Sequence, residues 1–272
     1  MSVTGDHIQT LRDLLLSRAG YALTAERASL AENRLGPLAR REGFTSAAEL
    51  IGQLATSRAS LGWEVVEAML PADSQFFRER ETFRVLDELL PALSAARPGG
   101  RVRVLSAGCG TGQEVWSTAI TAAEAGLNAV EILGVDLAVR GLEKGRDGLY
   151  SQFEVQRGLR ARQLIRWLEP AGDDWRVRDD LRQGVRFDRA NLIDGLEGRE
   201  SFDLILCRHV LGDMSPQARR RVLAGLDSAL ARDGCLFVGA RELVPEALEA
   251  FRPVAGRSGL YVKNPARLSQ AA

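Results

Sequence analysis

The chain has 272 residues, 45% hydrophobic and 26% charged, which is the composition of a globular protein large enough for one big or two ordinary domains. Lysine plus arginine and aspartate plus glutamate both number 36, so no global field points to a nucleic acid or an anionic membrane as partner, and any charge logic is local. No apolar run reaches membrane length, the polar start does not read as a signal peptide, and three cysteines without ligand spacing read as reduced thiols, so a cytoplasmic protein is predicted.

Residues 7 to 70 show helical periodicity only. Ile8, Leu11 and Leu15, with Leu14 and Leu16 beside them, form an apolar stripe closed by Gly20. A second helix is predicted from about Thr24, carrying Leu30, Arg34, Leu38 and Arg41 at helical spacing and interrupted at Pro37. Ser46 followed by Glu49 predicts a capping box opening a third helix, and a fourth runs from about Ser60 to Leu70, stopping before Pro71. Arg27, Arg34, Arg40 and Arg41 give the second helix a cationic side, which suits an acidic partner and equally an ordinary solvated face. Pro71 to Ser74 reads as a linker. Gln75-Phe76-Phe77-Arg78 then leads into a helix expected to end at Pro91, and its two adjacent phenylalanines cannot share one helical face with Arg78.

A β-type run (Val102, Val104, Leu105) next meets Gly108, Gly110 and Gly112, after which a helical pattern begins. Glycine permits positive φ and has no Cβ, so backbone there can lie directly against a ligand. A strand turning through glycines into a helix is the nucleotide-binding corner of an α/β sheet. The spacing is Gly-x-Gly-x-Gly rather than the pyrophosphate-binding Gly-x-Gly-x-x-Gly, and Glu114 sits in the first helical turn. A carboxylate there repels a diphosphate and suits an ammonium, which S-adenosylmethionine (SAM) carries. The corner therefore predicts a methyl donor as cofactor, against the bland alternative of a tight turn without a ligand.

The helix from about Gln113 to Glu124 leads to a buried strand from Ala129 to Val135, ended by Asp136. That carboxylate suits the ribose hydroxyls of an adenosine, and also suits capping of the helix at 138 to 146. Residues 148 to 185 break the strand–helix alternation: a helical piece (Leu159 to Leu168), a Gly-Asp-Asp turn and the alternating Trp175-Arg176-Val177-Arg178 predict a small inserted β-subdomain. Val185-Arg186-Phe187 resumes the alternation, with Asn191-Leu192 following. Phe202 to Cys207 is a third buried strand, and its C-terminal end carries Arg208-His209-Val210-Leu211-Gly212-Asp213-Met214, where ligand contacts in a parallel sheet belong. Ser215-Pro216 opens a helix to Ala231, and segments 235–239 and 259–262 are expected to pair as the last strands. His7 and His209 are too few for a histidine-rich metal site, so no metal is expected.

In this order the pieces resemble the CheR family, the chemotaxis-receptor glutamate O-methyltransferases. The resemblance rests on Asn33-Arg34-Leu35 with Leu38 and Arg41, on Ser74-Gln75-Phe76-Phe77-Arg78-Glu79, and on the glycine corner with Gln113-Glu114-Val115-Trp116-Ser117. It continues through Asp136, Gly148-Leu149-Tyr150, Arg176-Val177, Asn191-Leu192 and Cys207-Arg208-His209-Val210-Leu211 to Gly256-Arg257-Ser258-Gly259-Leu260-Tyr261. It implies an α/β protein: an all-helical domain over residues 1–72, then a class I SAM-dependent (Rossmann-like) methyltransferase domain over 73–272 with the inserted β-subdomain at about 148–185. It implies SAM contacts at Ser74, Arg78, Gly108, Gly110, Glu114, Asp136, Asn191, Leu192, His209 and Val210. The basic helix with Arg34, Arg40 and Arg41 would dock on the cytoplasmic helical domain of a receptor, with no nucleic-acid partner and no membrane insertion. Some members grip a C-terminal tether peptide of the receptor through the β-subdomain. The turn between Leu168 and Trp175 is short and lacks their glycine-rich loop, so no tether is expected.

Two departures bear on chemistry. Where members read Cys-Arg-Asn-Val-Leu-Ile-Tyr-Phe, this chain has His209 for the asparagine and Asp213 for the tyrosine near the methyl acceptor; the asparagine before Ser74 is Ala72. Glutamate, with a reference pKa of about 4.3, is already ionised at neutral pH and needs no general base. Catalysis then rests on alignment, with Arg78 and the residue at 213 as the groups nearest the acceptor. A second carboxylate 4 Å from an anionic acceptor costs about 4 kcal/mol at an effective dielectric near 20, unless it is paired, by His209 or Arg208. Asp213 thus leaves open two alternatives to an active receptor methyltransferase: a SAM-binding regulatory protein that transfers poorly, and a methyltransferase with another acceptor.

Overall fold

The leucine stripe makes a helix where its periodicity predicts one: α1 (Gly5–Ala19) buries Leu11 and Leu15 completely and ends on Gly20 in the left-handed region, whose N–H bonds back to Leu16 O. The computed structural model describes residues 2–71, 73–196, 198, 201–240, 242 and 250–264, so Ala72 lies outside the described residues. The second expected helix is two helices, α2 (Ala25–Ala28) and α3 (Ala31–Arg41). The break falls at Ser29–Leu30 rather than at Pro37. There Ser29 Oγ donates to Glu26 O and Leu30 N–H to Arg27 O, which tightens the turn. Pro37 removes one donor from α3, but buried Leu35, Leu38 and Ala39 on either side hold the helix through it. α4 (Ala47–Gly52) and α5 (Ala59–Met69) follow. The box at α4 is half formed: Ser46 Oγ accepts from Glu49 N–H, whereas the Glu49 carboxylate turns to Thr45.

Most of the cationic side of α3 is used inside this helical unit. Arg34 Nη1 donates to Met69 O (2.7 Å) and Leu70 O (3.1 Å), taking up carbonyls at the end of α5. Arg41 pairs with Glu42 and Glu64, and Arg58 joins both carboxylates; among the described residues Arg40 alone of the three makes no ion pair and no side-chain hydrogen bond. Arg34→Ala is therefore expected to destabilise the protein by about 1.5–3 kcal/mol, the worth of charged hydrogen bonds to partly buried carbonyls, while Arg40→Ala stays within about 0.5 kcal/mol. Urea denaturation of the two variants checks this; equal, small losses would show that Arg34 is not structural.

The described chain divides into two units, one holding the segment up to Pro71 together with Asp213–Arg221, the other the remainder. The return of 213–221 to the helical unit, which the sequence assigns to the second domain, has a backbone cause: Ala22 N–H donates to Asp213 O, and Ser215 N–H to Gly20 O.

The second unit begins with α6 (Arg80–Ala96), which runs through Pro91 instead of ending there, held by buried Phe83, Leu86 and Leu90. Strands and helices then alternate: β1 (Val102–Ala107), α7 (Gln113–Glu124), β2 (Val130–Asp136) and α8 (Val139–Asp147). The insertion comprises β3 (Leu149–Ser151), α9 (Gln152–Gln156), α10 (Ala161–Trp167), β4 (Leu168–Ala171), β5 (Asp174–Val177) and α11 (Asp179–Arg182). Its strands form an antiparallel sheet in the order β3-β5-β4, and the β4–β5 turn is two residues, Gly172 and Asp173. β6 (Val185–Arg189), β7 (Phe202–Cys207), α12 (Pro216–Ala229), β8 (Leu230–Val238), β9 (Phe251–Pro253) and β10 (Leu260–Lys263) complete the chain. The main sheet has the order β6-β2-β1-β7-β8-β10-β9, parallel as far as β8, with β10 and β9 antiparallel. β9 escapes sequence reading because it is three residues long and contains Pro253, tolerable only at a sheet edge. From β1 the chain winds outward to β2 and β6, then crosses back to β7 and β8. The C-terminal ends of β1 and β7 are thus the switch point where an α/β sheet binds ligands.

Candidate active site

At that switch point β1 runs into Gly108, Gly110 and Gly112, with φ of 81°, 56° and 90°. A Cβ on Gly108 would lie 2.4 Å from Val210 Cγ2, and one on Gly112 would lie 2.8 Å from Gly145 Cα, so side chains are excluded by space as well as by conformation. A Cβ on Gly110 would sit 3.6 Å from Ser74 Cβ, which places the serine of the 74–79 segment against the corner.

Asp136, at the end of β2, accepts Gly110 N–H at Oδ2 (2.8 Å) and Ala138 N–H at Oδ1 (2.9 Å). It thus serves the corner and the start of α8 together. Burial pushes its carboxyl above the usual range, against the opposing effect of these backbone donors. Ala190 N–H donates to Asp136 O, bringing Asn191 and Leu192 to the same strand end.

The 74–79 segment is fixed by its phenylalanines. Phe76 meets Tyr150 edge-on at 5.0 Å and Phe77 meets Phe83 at 5.0 Å, the divergent projection that the sequence requires. Phe77 reaches it with φ 48°, and its N–H donates to Ser117 Oγ (2.9 Å). Arg78 Nη1 donates to Asp73 O (3.2 Å), with Asp73 Oδ2 3.5 Å from Nη2.

Arg208, the first residue after β7, joins these parts. Its side chain is 1% exposed and donates to Glu114 Oε2 (2.8 Å), Glu79 Oε2 (2.9 Å) and Arg78 O (2.6 Å). Ser106 Oγ donates to the other Glu114 oxygen (2.7 Å). Two carboxylates against one guanidinium leave one net negative charge, and Glu114 keeps free lone pairs for an ammonium. Burial works to raise the Glu79 carboxyl, but hydrogen bonds from Ala240 N–H and Arg208, with the charge of Arg208, hold it below the usual range.

His209 follows at φ 59°, a backbone region that histidine and asparagine tolerate better than most residues, which accounts physically for the exchange against the family. Burial first, then the charge of Arg78, lowers its pKa, so the ring is neutral at pH 7. Nε2 is buried without a hydrogen-bond partner, 3.5 Å from Glu79 Oε2. Glu242 holds the backbone here by accepting His209 N–H (2.7 Å), Gly212 N–H (3.0 Å) and Gly239 N–H (2.7 Å). Among the described residues, the non-glycine positions at positive φ are Phe77, Glu79 and His209, all at this site. Such conformations cost about 1–3 kcal/mol each and persist only where the surroundings over-determine them.

Ser74, Arg78, Gly108, Gly110, Glu114, Asp136, His209 and Val210 are thus gathered around one corner, with Asn191 and Leu192 at its edge. Asp213 falls in the helical unit. Its carboxylate lies 2.9 Å from Arg27 Nη1 within the helical unit, and Arg27 also bonds Tyr21 OH. Neither expected partner takes it, because Arg208 is committed to Glu79 and Glu114, and His209 leans on Glu79. Sequence reasoning missed Arg208 as a hub, gave Glu79 no role of its own, and did not single out Ser106 or Glu242. The available signal was an arginine directly after the apolar run Leu204–Cys207, which must be buried and so must be paired.

The glycine corner at a switch point, the cradle without Cβ atoms, a carboxylate cluster with a net negative charge and a second buried carboxylate holding only N–H donors fit SAM, and they define a class I SAM-dependent methyltransferase. Residues 6–70 match the CheR methyltransferase all-alpha domain, and residues 72–260 match the CheR methyltransferase SAM binding domain. The chain is 30% identical to chemotaxis protein methyltransferase 1 of Pseudomonas aeruginosa, covering 97% of this chain and 99% of that one. It is 31% identical to chemotaxis protein methyltransferase Cher2 of Pseudomonas putida (89% and 92% covered) and 30% identical to the chemotaxis protein methyltransferase of Vibrio parahaemolyticus (97% and 98%). The chain belongs to the CheR methyltransferase family and is a SAM-dependent methyltransferase of the chemotaxis class. Among the described residues no helix is long and apolar enough to cross a membrane, and no cluster of three or more potential metal ligands occurs.

Proposed function

We propose that the protein methyl-esterifies glutamate side chains in the cytoplasmic helical domain of a chemotaxis receptor. The observation that carries this is the Glu79–Arg208–Glu114 cluster beside the glycine corner: it holds a charge matched to the methionyl ammonium, while Asp136 takes the ribose. When bound, SAM supplies an electrophilic methyl on its sulfonium. Ser74, Gly110 and Val210 shape the space, Asn191 and Leu192 border the adenosine side, and Arg78 orients donor and incoming carboxylate. An acceptor glutamate is ionised at neutral pH, so the protein has no proton to remove and supplies alignment, worth up to roughly 7–11 kcal/mol for well-placed reactants.

Among the described residues Arg40 is the cation of α3 with neither an ion pair nor a side-chain hydrogen bond, and it is the contact we assign to the receptor from this helix. Arg34 and Arg41 act on it only through the fold. The two-residue β4–β5 turn supports docking without a C-terminal tether. The poorly transferring and alternative-acceptor readings lose their motive with Asp213 paired. Incubation with labelled SAM and receptor-bearing membranes should give methyl esters that base releases as methanol; folded protein that binds S-adenosylhomocysteine (SAH) but forms no such esters would overturn the reading.

A further inference from the structure

α10 shows two opposed faces. Gln163 and Trp167, one turn apart, are buried, and Gln163 Nε2 bonds Glu124 Oε2 (3.0 Å). The other face presents Arg162, Ile165 and Arg166. Ile165 is 70% exposed, and Phe153 on neighbouring α9 is 67% exposed, the two most exposed large apolar side chains among the described residues. Arginines surround both. Arg157 lies over the Phe153 ring (5.6 Å) and Arg166 over Trp167 (4.7 Å), while Arg160, Arg162 and Arg166 make no ion pair among the described residues. A guanidinium stacked on an indole keeps its in-plane donors free and pre-oriented for a carboxylate. An apolar centre with a cationic, unneutralised rim is the anatomy of an interface for an acidic amphipathic partner.

This surface is physically continuous with the active site. Between α9 and α10 the chain passes Gly158, at φ 117°, where a Cβ would fall 1.7 Å from Phe76 O; the link is pressed against the 74–79 segment. Asp73 then bridges the two regions, with Oδ1 3.4 Å from Arg157 Nη2 and Oδ2 3.5 Å from Arg78 Nη2. A line of charge runs from Arg78 through Asp73 and Arg157 onto the exposed face of α10.

We propose that the α9–α10 surface docks the acidic, amphipathic helix of the receptor that carries the acceptor glutamate. Ile165 and Phe153 cover its apolar stripe, and Arg160, Arg162 and Arg166 pair its carboxylates. The occupant is a helix lying on helices, not a strand added to the three-stranded sheet. The inference rests on the proposed acceptor being a receptor glutamate.

The test compares the full chain with Arg162→Glu/Arg166→Glu, Arg162→Lys/Arg166→Lys and Ile165→Ser, using receptor-bearing membranes at saturating SAM. The expected result is a receptor KM raised about tenfold or more in the Glu pair, with kcat and SAH affinity unchanged. The Lys pair should stay near wild type, Ile165→Ser should fall between, and the rise of KM with salt should be weakened in the Glu pair but kept in the other two. A Glu pair with wild-type KM, in a chain that does form methyl esters, overturns this docking surface and leaves the transferase reading intact. Absence of esters with wild-type protein overturns both. Loss of sedimentation with receptor-free anionic vesicles equal to that with receptor membranes would make the surface a lipid contact and overturn the proposal.

Discussion

Arg208→Met is expected to destabilise the protein by about 3–5 kcal/mol, the cost of leaving buried charge without its partner. The side chain is 1% exposed, and its removal strands the carboxylates of Glu79 and Glu114, themselves 19% and 15% exposed. It also frees Arg78 O and the 74–79 segment that Arg208 ties to the end of β7. The pH dependence identifies the mechanism. In the wild type the Glu79 carboxyl lies below its ordinary value, so it contributes stability above the unfolded-state pKa, near 4.5, and that contribution is lost as pH falls through the folded value. In the variant, burial without a cation raises the same carboxyl, so protonation relieves it on the way down. The gap between the two proteins therefore narrows from pH 7 towards pH 4. Urea denaturation at a series of pH values measures this. Arg208→Lys should recover only part of the loss, because a single ammonium cannot serve three acceptors fixed in the plane of a guanidinium. A gap under 1 kcal/mol, or one that does not change with pH, would mean that the cluster is not held by this charge.

The contrast between Arg208 and Asp213 shows where sequence reading reaches and where it stops. The glycine corner was legible because its requirements are local: positive φ, no room for a Cβ, a carboxylate one turn into the helix. The divergence of Phe76 and Phe77 was legible for a similar reason, since adjacent side chains on one backbone cannot point the same way. The pairing of Asp213 was not legible because pairing is not local. Its cation is Arg27, nearly two hundred positions earlier, and no spacing rule relates the two. Arg34 shows the same limit: a helical face of arginines looks free in sequence until the carbonyls ending another helix claim one of them. Pro37 and Pro91 fall in the same class, for the apolar residues flanking each hold the helix through a missing hydrogen bond that propensity alone counts as a stop.

Asp136→Asn is expected to weaken SAH binding by about 10²–10⁴-fold, through two losses of charge-assisted hydrogen bonding worth about 1.5–3 kcal/mol each. The carboxylate accepts Gly110 N–H on one oxygen and Ala138 N–H on the other. An amide has one acceptor oxygen, so whichever way it turns, its NH2 faces a backbone N–H, and either the glycine corner or the start of α8 loses its partner. The ribose then loses an anionic acceptor as well. Methylthioadenosine, which has the ribose and no amino-acid moiety, separates this role from that of Glu114: calorimetry should show both ligands weakened in Asp136→Asn, but SAH alone weakened in Glu114→Gln. The pH profile should differ too. Burial raises the Asp136 carboxyl in the free protein, and hydroxyl donors favour its charged form, so wild-type affinity falls as pH drops through that raised value while the Asn variant stays flat. SAH affinity within threefold of wild type in Asp136→Asn would place the ribose elsewhere, and with it the adenosine that the whole glycine corner is built to seat.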